Sequence, residues 1–335
     1  MGYPKVSVVI PAFNAQQTIV HAIQAVLAQT YPGDIEVIVV DDGSTDRTAE
    51  IVQSFREVKY VRQDNAGPAS ARNKGSSVGR GQFIFFTDSD CIAHRNWIEK
   101  ILKGFTDDQI SVVCGSYGIA NPQSMLARLI HREILYRHQF LMPRFPKAFG
   151  SYNFCVRRSV FAEAGGFDET YRRASGEDND LSYRILKKGG RIYFAKDALV
   201  DHYHPTAIRK YLKEQFRHGY WRAKMYWDHP GMARGDDYTF WKDIVEVPLS
   251  LLTCAALVLS LFQVWLFKLF IFIILIPFLF LEVIFAFVMV RAIGASFYFG
   301  SVMFLRSFAR TFGLSTGIMV FCYKKISQKE SKKSE

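Results

Sequence analysis

The sequence predicts an α/β fold, a mostly parallel sheet with flanking helices, followed by a helical membrane segment. Three observations predict it. Short β-branched and aromatic runs alternate with helical patterns through the first part of the chain, and each run ends in polar residues. One of these runs, Gln82-Phe83-Ile84-Phe85-Phe86-Thr87, stops abruptly at Asp88-Ser89-Asp90. From Val247 onward the composition changes to Leu, Phe, Ile and Val.

The first strand is Val6-Ser7-Val8-Val9-Ile10, which runs into Pro11-Ala12-Phe13-Asn14, and a helical pattern follows from Thr18 to Gln29. The second, Glu36-Val37-Ile38-Val39-Val40, ends in Asp41-Asp42-Gly43-Ser44-Thr45-Asp46. Gly43 supplies a turn, and Ser44 or Asp46 can cap a helix through Thr48-Ala49-Glu50-Ile51-Val52. Pro68–Ser77 reads as a further helix. The repeated β-α-β-α order argues for a parallel sheet with crossover helices and one ligand crevice beyond the carboxyl ends of the strands. Residues i and i+2 of an extended strand point the same way, so Asp88 and Asp90 can converge on one object. Neighbouring carboxylates repel unless a cation lies near, and a hard divalent metal carrying phosphate is the natural guest.

The apolar part reads as two spans. Val247 to Leu266 carries no charge and is long enough, at about 20 residues, to cross a hydrocarbon core as a helix. Leu269 to Val290 is similar, with Glu282 as its one charge and Pro277 as a kink site. With Lys268 at the tight link, the two make a transmembrane hairpin, in which Glu282 is expected to face the partner helix or lie near the interface. Phe297 to Phe321 carries Arg306 and Arg310 near its middle, each costing roughly 2.5–3.5 kcal/mol in a crossing helix. It is therefore expected to lie along the membrane surface with both guanidiniums toward phosphates. The Lys-rich tail then stays cytosolic. The expected domains are 1–240 (cytosolic and catalytic), 241–323 (membrane) and 324–335 (basic tail). Met125 to Phe149 is a second candidate for the membrane surface, or an amphipathic helix packed on the catalytic domain.

The 335 residues carry a net charge of +11. No zinc-finger, RNA-recognition or helix-turn-helix signature accompanies it, so anionic lipid headgroups explain the charge better than nucleic acid. Five scattered cysteines without metal-like or paired spacing read as reduced, which suits a cytosolic catalytic region. No basic and then apolar leader is visible at the N-terminus.

Pro11-Ala12-Phe13-Asn14, Asp41 to Asp46, Asp64-Asn65-Ala66-Gly67 with Ala71-Arg72-Asn73, Asp88-Ser89-Asp90, Gly165-Gly166-Phe167-Asp168-Glu169 and Gly176-Glu177-Asp178 come in a telling order. Together they resemble the family-2 inverting glycosyltransferases of the GT-A (Rossmann-like) fold, over about residues 4 to 220. The resemblance implies a nucleotide-sugar donor, UDP-linked by default. Its contacts would come from Pro11, Ala12, Asn14, Asp41, Asp42, Asp64, Gly67, Arg72, Asp88, Ser89 and Asn153. Asp90 would bind Mg²⁺ or Mn²⁺, with His202 or His204 as a further ligand. Asp178 would be the general base, with Glu177 as the fallback and Asp180 as a helix cap.

The membrane part implies a lipid-linked or glycolipid acceptor at the cytosolic face of the inner (plasma) membrane. Gln215-Phe216-Arg217-His218-Gly219-Tyr220-Trp221-Arg222 only partly matches the Gln-x-x-Arg-Trp motif of processive synthases, because Trp221 does not follow Arg217. Arg217 or Arg222 is a candidate phosphate contact. Three rival readings compete. A polyprenyl-phosphate monosaccharide synthase needs no base for its phosphate acceptor. A sugar nucleotidyltransferase needs a Gly-rich, Arg-containing first loop, which Pro11 to Asn14 replaces. A non-catalytic scaffold gives no reason to keep clustered carboxylates.

Overall fold

The computed structural model describes residues 2–173, 175–232, 237, 239–262 and 265–334, with side chains for all of these but 260, 266, 267, 269, 270 and 324–334. The chain divides into two compact units, Met1–Pro122 with His138–His204, and Gln123–Arg137 with Pro205–Glu335.

In the first unit the elements follow in order: β1 (Val6–Ala12), α1 (Ile19–Leu27), β2 (Ile35–Asp41), α2 (Thr48–Gln53), β3 (Val58–Arg62) and α3 (Pro68–Val78). Then come β4 (Phe83–Thr87), β5 (Cys91–Ala93), α4 (Trp97–Leu102) and β6 (Ile110–Ile119). After α5 (Met125–Phe140), most of which belongs to the second unit, the first unit closes with β7 (Asn153–Arg157), α6 (Arg158–Glu163), α7 (Glu177–Lys187) and β8 (Arg191–His202). One sheet runs β3-β2-β1-β4-β7-β6-β8-β5. Its first four strands, with β6 and β8, run in one direction; β7 and β5 run against their neighbours. The mostly parallel sheet expected from the β-α-β-α pattern is thus present.

Strand alternation sorts the core into two layers. Val6, Val8 and Ile10 pack with Ile19, Ile23, Val26 and Trp97 on one face; Val9, Ile38 and Val40 pack with Phe86, Phe154, Phe161 and Phe167 on the other. Each such buried side chain contributes about 1.5–3 kcal/mol. Register does the positioning. Ala12 lies beside Asp41, and Thr87 beside Asn153, so the polar ends of β1, β2 and β4 meet the start of β7 at one edge.

The second unit holds residues up to Arg137 of α5, α8 (Ile208–Asp228), α9 (Trp241–Ser260), α10 (Trp265–Val290) and α11 (Ile293–Ser334). It begins well before the change of composition, because α8 packs backbone-close on α11. A Cβ on Gly219 would come 2.1 Å from the Arg310 carbonyl oxygen, and one on Gly313 2.0 Å from that of Phe216. Glu282 of α10 faces α9, 2.8 Å from Lys242, as expected of a charge in an apolar helix.

Other expectations for this part change. Among the described residues one stretch, Ile271–Val290, is long and apolar enough to cross a membrane. The expected first span, 247–266, runs past the end of α9 at Ser260, and residues 263–264 lie outside the described residues. The segment 297–321 is no separate helix but the middle of the 42-residue α11. Arg306 does not face phosphates. It is fully buried, 2.6 Å from Glu133 and 3.6 Å from Glu246. Arg310 bonds Gln215 at 2.7 Å and lies 3.6 Å from Asp243. Gln215, the start of the partial synthase motif, thus serves helix packing. The basic tail, 324–335, has no described side chains.

Candidate active site

The site grows from the strand ends of the first unit. Asp41 ends β2, Asp42 follows it, and both are buried. Asp41 accepts from the Ser44 amide and the Tyr60 hydroxyl, each at 2.8 Å. Asp42 accepts from the amides of Ala66 (2.8 Å) and Gly67 (2.9 Å) and from the Gln63 side chain (2.8 Å). The pair braces two loops, 43–46 and 63–67, around the crevice. Gly67 must be glycine: its φ is +100°, and a Cβ would lie 2.7 Å from the Arg172 carbonyl oxygen. Asn14, at φ +50°, ties the first loop to the second strand's loop, donating its amide to Ser44 and accepting from Thr45, both at 2.9 Å. Pro11 and Ala12 end β1 in buried positions, Asp64 is exposed, and Ser89 is half-buried.

Asp88, Ser89 and Asp90 leave β4 at the same edge. β5 then pairs Cys91 with His202, which draws Asp90 toward the end of β8. Asp90 Oδ2 lies 3.5 Å from His202 Nε2, and the Asp90 carbonyl accepts from the Tyr203 amide at 3.0 Å. His202 and His204 share a hydrogen bond between their Nδ1 atoms at 3.1 Å. That contact leaves the Nε2 of His202 toward Asp90 and places His204, which is buried, behind it. Of the two histidines expected as ligands, His202 therefore has the geometry, and His204 supports it. Cys91 Sγ completes a cluster that could hold an ion, with ligand atoms within 4.8 Å of one another. Carboxylate oxygen and imidazole nitrogen suit Mn²⁺ and accept Mg²⁺; the thiol suits softer metals.

Glu177 and Asp178 occupy the first turn of α7, where the helix dipole favours carboxylates. Asp178 accepts from the amides of Ser151 (3.1 Å) and Asn179 (2.9 Å). Part of the residue stays exposed, yet burial of its carboxyl, and then the charge of Glu177, lift its pKa to about 7. Glu177 is buried and bonded to Arg72 at 2.9 Å and to the Ser175 amide at 2.8 Å. Asp180 is not a cap: it pairs with Arg184 one turn on, at 2.6 Å.

Asn153 departs from its expected donor role. It is fully buried; its oxygen accepts from Trp97 Nε1 at 2.7 Å, and its nitrogen donates to the carbonyls of Ser116 and Ala198, each at 2.9 Å. It fastens β7 to the core and offers no face to a ligand. Arg72, expected as a donor contact, is buried with its two terminal nitrogens on Glu177 and Asp88. Sequence reading missed Tyr60, Gln63, Trp97 and Ser151, whose partners lie far away along the chain. It also missed the face-to-face pair Tyr117–Tyr152, with ring centroids 3.6 Å apart.

The sequence model of the family described as "Glycosyl transferase family 2" matches residues 7–165. The glycosyltransferase AglE of Haloferax volcanii is 30% identical over 224 residues, which cover 64% of this chain and 72% of that protein. The probable glycosyltransferase YdaM of Bacillus subtilis is 30% identical over 259 residues, 72% of this chain and 58% of YdaM. A pre-mycofactocin glycosyltransferase of Mycobacterium tuberculosis is 32% identical over 206 residues, 58% of this chain and 43% of that protein. The chain thus spans about half the length of these last two relatives. Among solved structures, the mannosyltransferase PcManGT of Pyrobaculum calidifontis, in complex with GDP-Man and Mn²⁺, is 21% identical. It superposes with a TM-score of 0.53 over 67% of this chain and 64% of its own. The sheet and flanking helices have the GT-A fold, and the chain belongs to glycosyl transferase family 2.

Proposed function

We propose that the chain is a metal-dependent, inverting glycosyltransferase. In this reading it moves a sugar from a nucleotide sugar, UDP-linked or GDP-linked, to a hydroxyl of a lipid-linked or glycolipid acceptor. The donor lies against the loops after β1, β2 and β4, with Asp41 and Asp42 shaping the crevice and Asp88 reaching the ribose. Asp90 and His202 would hold Mg²⁺ or Mn²⁺, and the ion would supply positive charge to offset that of the departing diphosphate. Asp178 takes the proton of the acceptor hydroxyl as that oxygen attacks the anomeric carbon from the face opposite the leaving group. The helical unit, through Ile271–Val290, is the membrane-associated part and keeps the catalytic unit at the cytosolic face.

The observation that carries this reading is Asp178: a carboxyl with a pKa near 7, on the first turn of a helix, in the same unit as the Asp90–His202 pair. A group that titrates near working pH is both available as a base and strong enough to act. Support for nucleotide-sugar and metal use comes from PcManGT, solved with GDP-Man and Mn²⁺.

The test is turnover of a panel of UDP- and GDP-sugars by the purified chain in detergent, with and without Mn²⁺ or Mg²⁺. One donor should be consumed, only with metal. Asp90→Ala should lose that turnover, and Asp178→Asn should lower it by about 10²–10⁴-fold. In the wild type, turnover should rise as pH climbs through about 7, where Asp178 ionises. Binding and turnover of no donor, with variants indistinguishable from wild type, would defeat the reading in favour of a scaffold.

A further inference from the structure

Arg72 is buried to 1% exposure, and its two terminal nitrogens point to different carboxylates. Nη1 donates to Glu177 Oε1 at 2.9 Å, and Nη2 donates to Asp88 Oδ1 at 2.7 Å. Glu177 is 105 residues away along the chain and Asp88 is 16. The Phe167 ring lies 5.5 Å from the guanidinium carbon, and Arg72 Nε is buried without a hydrogen-bond partner among the described residues. The remaining oxygen of Glu177 is held by the Ser175 amide. A guanidinium is a rigid planar fork, so fixing one arm fixes the direction of the other. The architectural Arg137 of the second unit also meets two acids, Glu133 and Asp243, but both of those are shielded from solvent. Here the second acid, Asp88, is partly open to solvent and stands two residues from Asp90.

We propose that Arg72 is a positioning residue that never touches the donor but holds Asp88, on the donor side, and Glu177, next to the base, at one fixed separation. Donor binding and the acceptor base are then aligned through a single buried guanidinium. The proposal rests on the reading of Asp178 as the base. It also assigns Glu177 a role: it is the base-side anchor of the bridge.

Around Asp178 stand Glu177 on its own helix, Arg72 from α3 with Asp88 beyond it, and the amides of Ser151 and Asn179. Arg72 is a cation that acts on the Asp178 carboxyl and favours its ionised form. Its removal takes away an attraction that offsets Glu177 at the ionised Asp178, so the pH at which the base switches on must rise.

The full chain in detergent is tested as Arg72→Met, Arg72→Lys, Glu177→Gln, Arg72→Met with Glu177→Gln, and Asp178→Asn. UDP and GDP with Mn²⁺ are the calorimetric probes, and the matching nucleotide sugar is the turnover probe. Glu177→Gln should weaken nucleotide binding by about 10-fold, the worth of one charged hydrogen bond, although it reaches the donor side only through Arg72. Arg72→Met should weaken it as much, and the double variant no further, because both single changes break one bridge. The acid limb of the pH–turnover profile should move to higher pH in Arg72→Met and return toward wild type in Arg72→Lys. If Arg72→Met does not fold, Glu177→Gln and Arg72→Lys carry the test.

The bridge is overturned if Glu177→Gln binds nucleotide within about twofold of wild type, the scatter of independent sites. Wild-type turnover by Asp178→Asn would instead overturn the base assignment, and failure of wild type to bind either nucleotide would overturn both.

Discussion

Both units bury charge, but they do so in opposite ways. In the helical unit four cations, Arg137, Lys242, Arg306 and Arg310, meet four acids, Glu133, Asp243, Glu246 and Glu282. The partners are close: Arg137 lies 2.7 Å from Asp243 and 2.8 Å from Glu133, and Lys242 is bonded to both Glu246 and Glu282. Burial opposes ionisation of Glu133, yet Arg306 and Arg137 outweigh it and hold its carboxyl down to about 2. In the sheet unit, Arg72 serves both Glu177 and Asp88, Asp178 is pushed up to about 7, and Asp90 stays partly open. A balanced set of buried charges holds helices in one arrangement; an unbalanced set at a strand edge is ready to accept a proton or a cation.

The largest effect that would sharpen this contrast is a split between activity and stability. Asp178→Asn should cut turnover by about 10²–10⁴-fold while leaving the unfolding temperature unchanged or raised, since it removes an unfavourable buried charge. A falling unfolding temperature would break the comparison. Glu133→Ala should do the reverse in the helical unit. It takes from the buried Arg306 its close partner, leaving Glu246 at 3.6 Å, and should destabilise that unit by about 3–5 kcal/mol in detergent unfolding. The combined change Glu133→Leu with Arg306→Met should lose far less, because no charge is left alone. An equal loss in both would mean that packing, not charge balance, decides.

Gly317→Leu comes next. A Cβ there already meets the Tyr220 carbonyl oxygen at 2.4 Å, so the larger side chain must part α8 from α11, at about 1–3 kcal/mol. The smallest effect is in acid. Glu133 has a folded pKa below its ordinary 4.5, so its stabilisation is complete above that pH and disappears as pH falls through about 2. Acid unfolding followed by circular dichroism, wild type against Glu133→Gln, reads the difference; identical acid transitions would count against the ion pairing.

Much of the sheet unit was legible in the chain, for a local reason. A strand's pattern and the polar residues at its end are neighbours in sequence, so Asp88, Asp90 and the β2 acids could be placed before any contact was known. The bridging role of Arg72 was not, because Glu177 lies 105 residues on. Arg306 was misread for the same reason: its partner Glu133 is 173 residues away, and without that partner in view the membrane surface was the natural place for an Arg in an apolar helix. Asn153 sits in a motif-like stretch, but only the folded sheet brings it Trp97, Ser116 and Ala198.

β7 runs against β4 and β6, so it begins at the edge where β4 ends, with Asn153 opposite Thr87. The segment just ahead of it, whose Ser151 amide holds Asp178, therefore arrives at the site from upstream instead of leaving it downstream. A parallel strand would have put its exit loop there, between itself and its own crossover helix. The reversed strand frees that segment from the crossover connections that carry the β1, β2 and β4 loops. Residues 141–150 thus reach the site by a path of their own, and Phe149, buried against Phe154, is the anchor that fixes where that path ends.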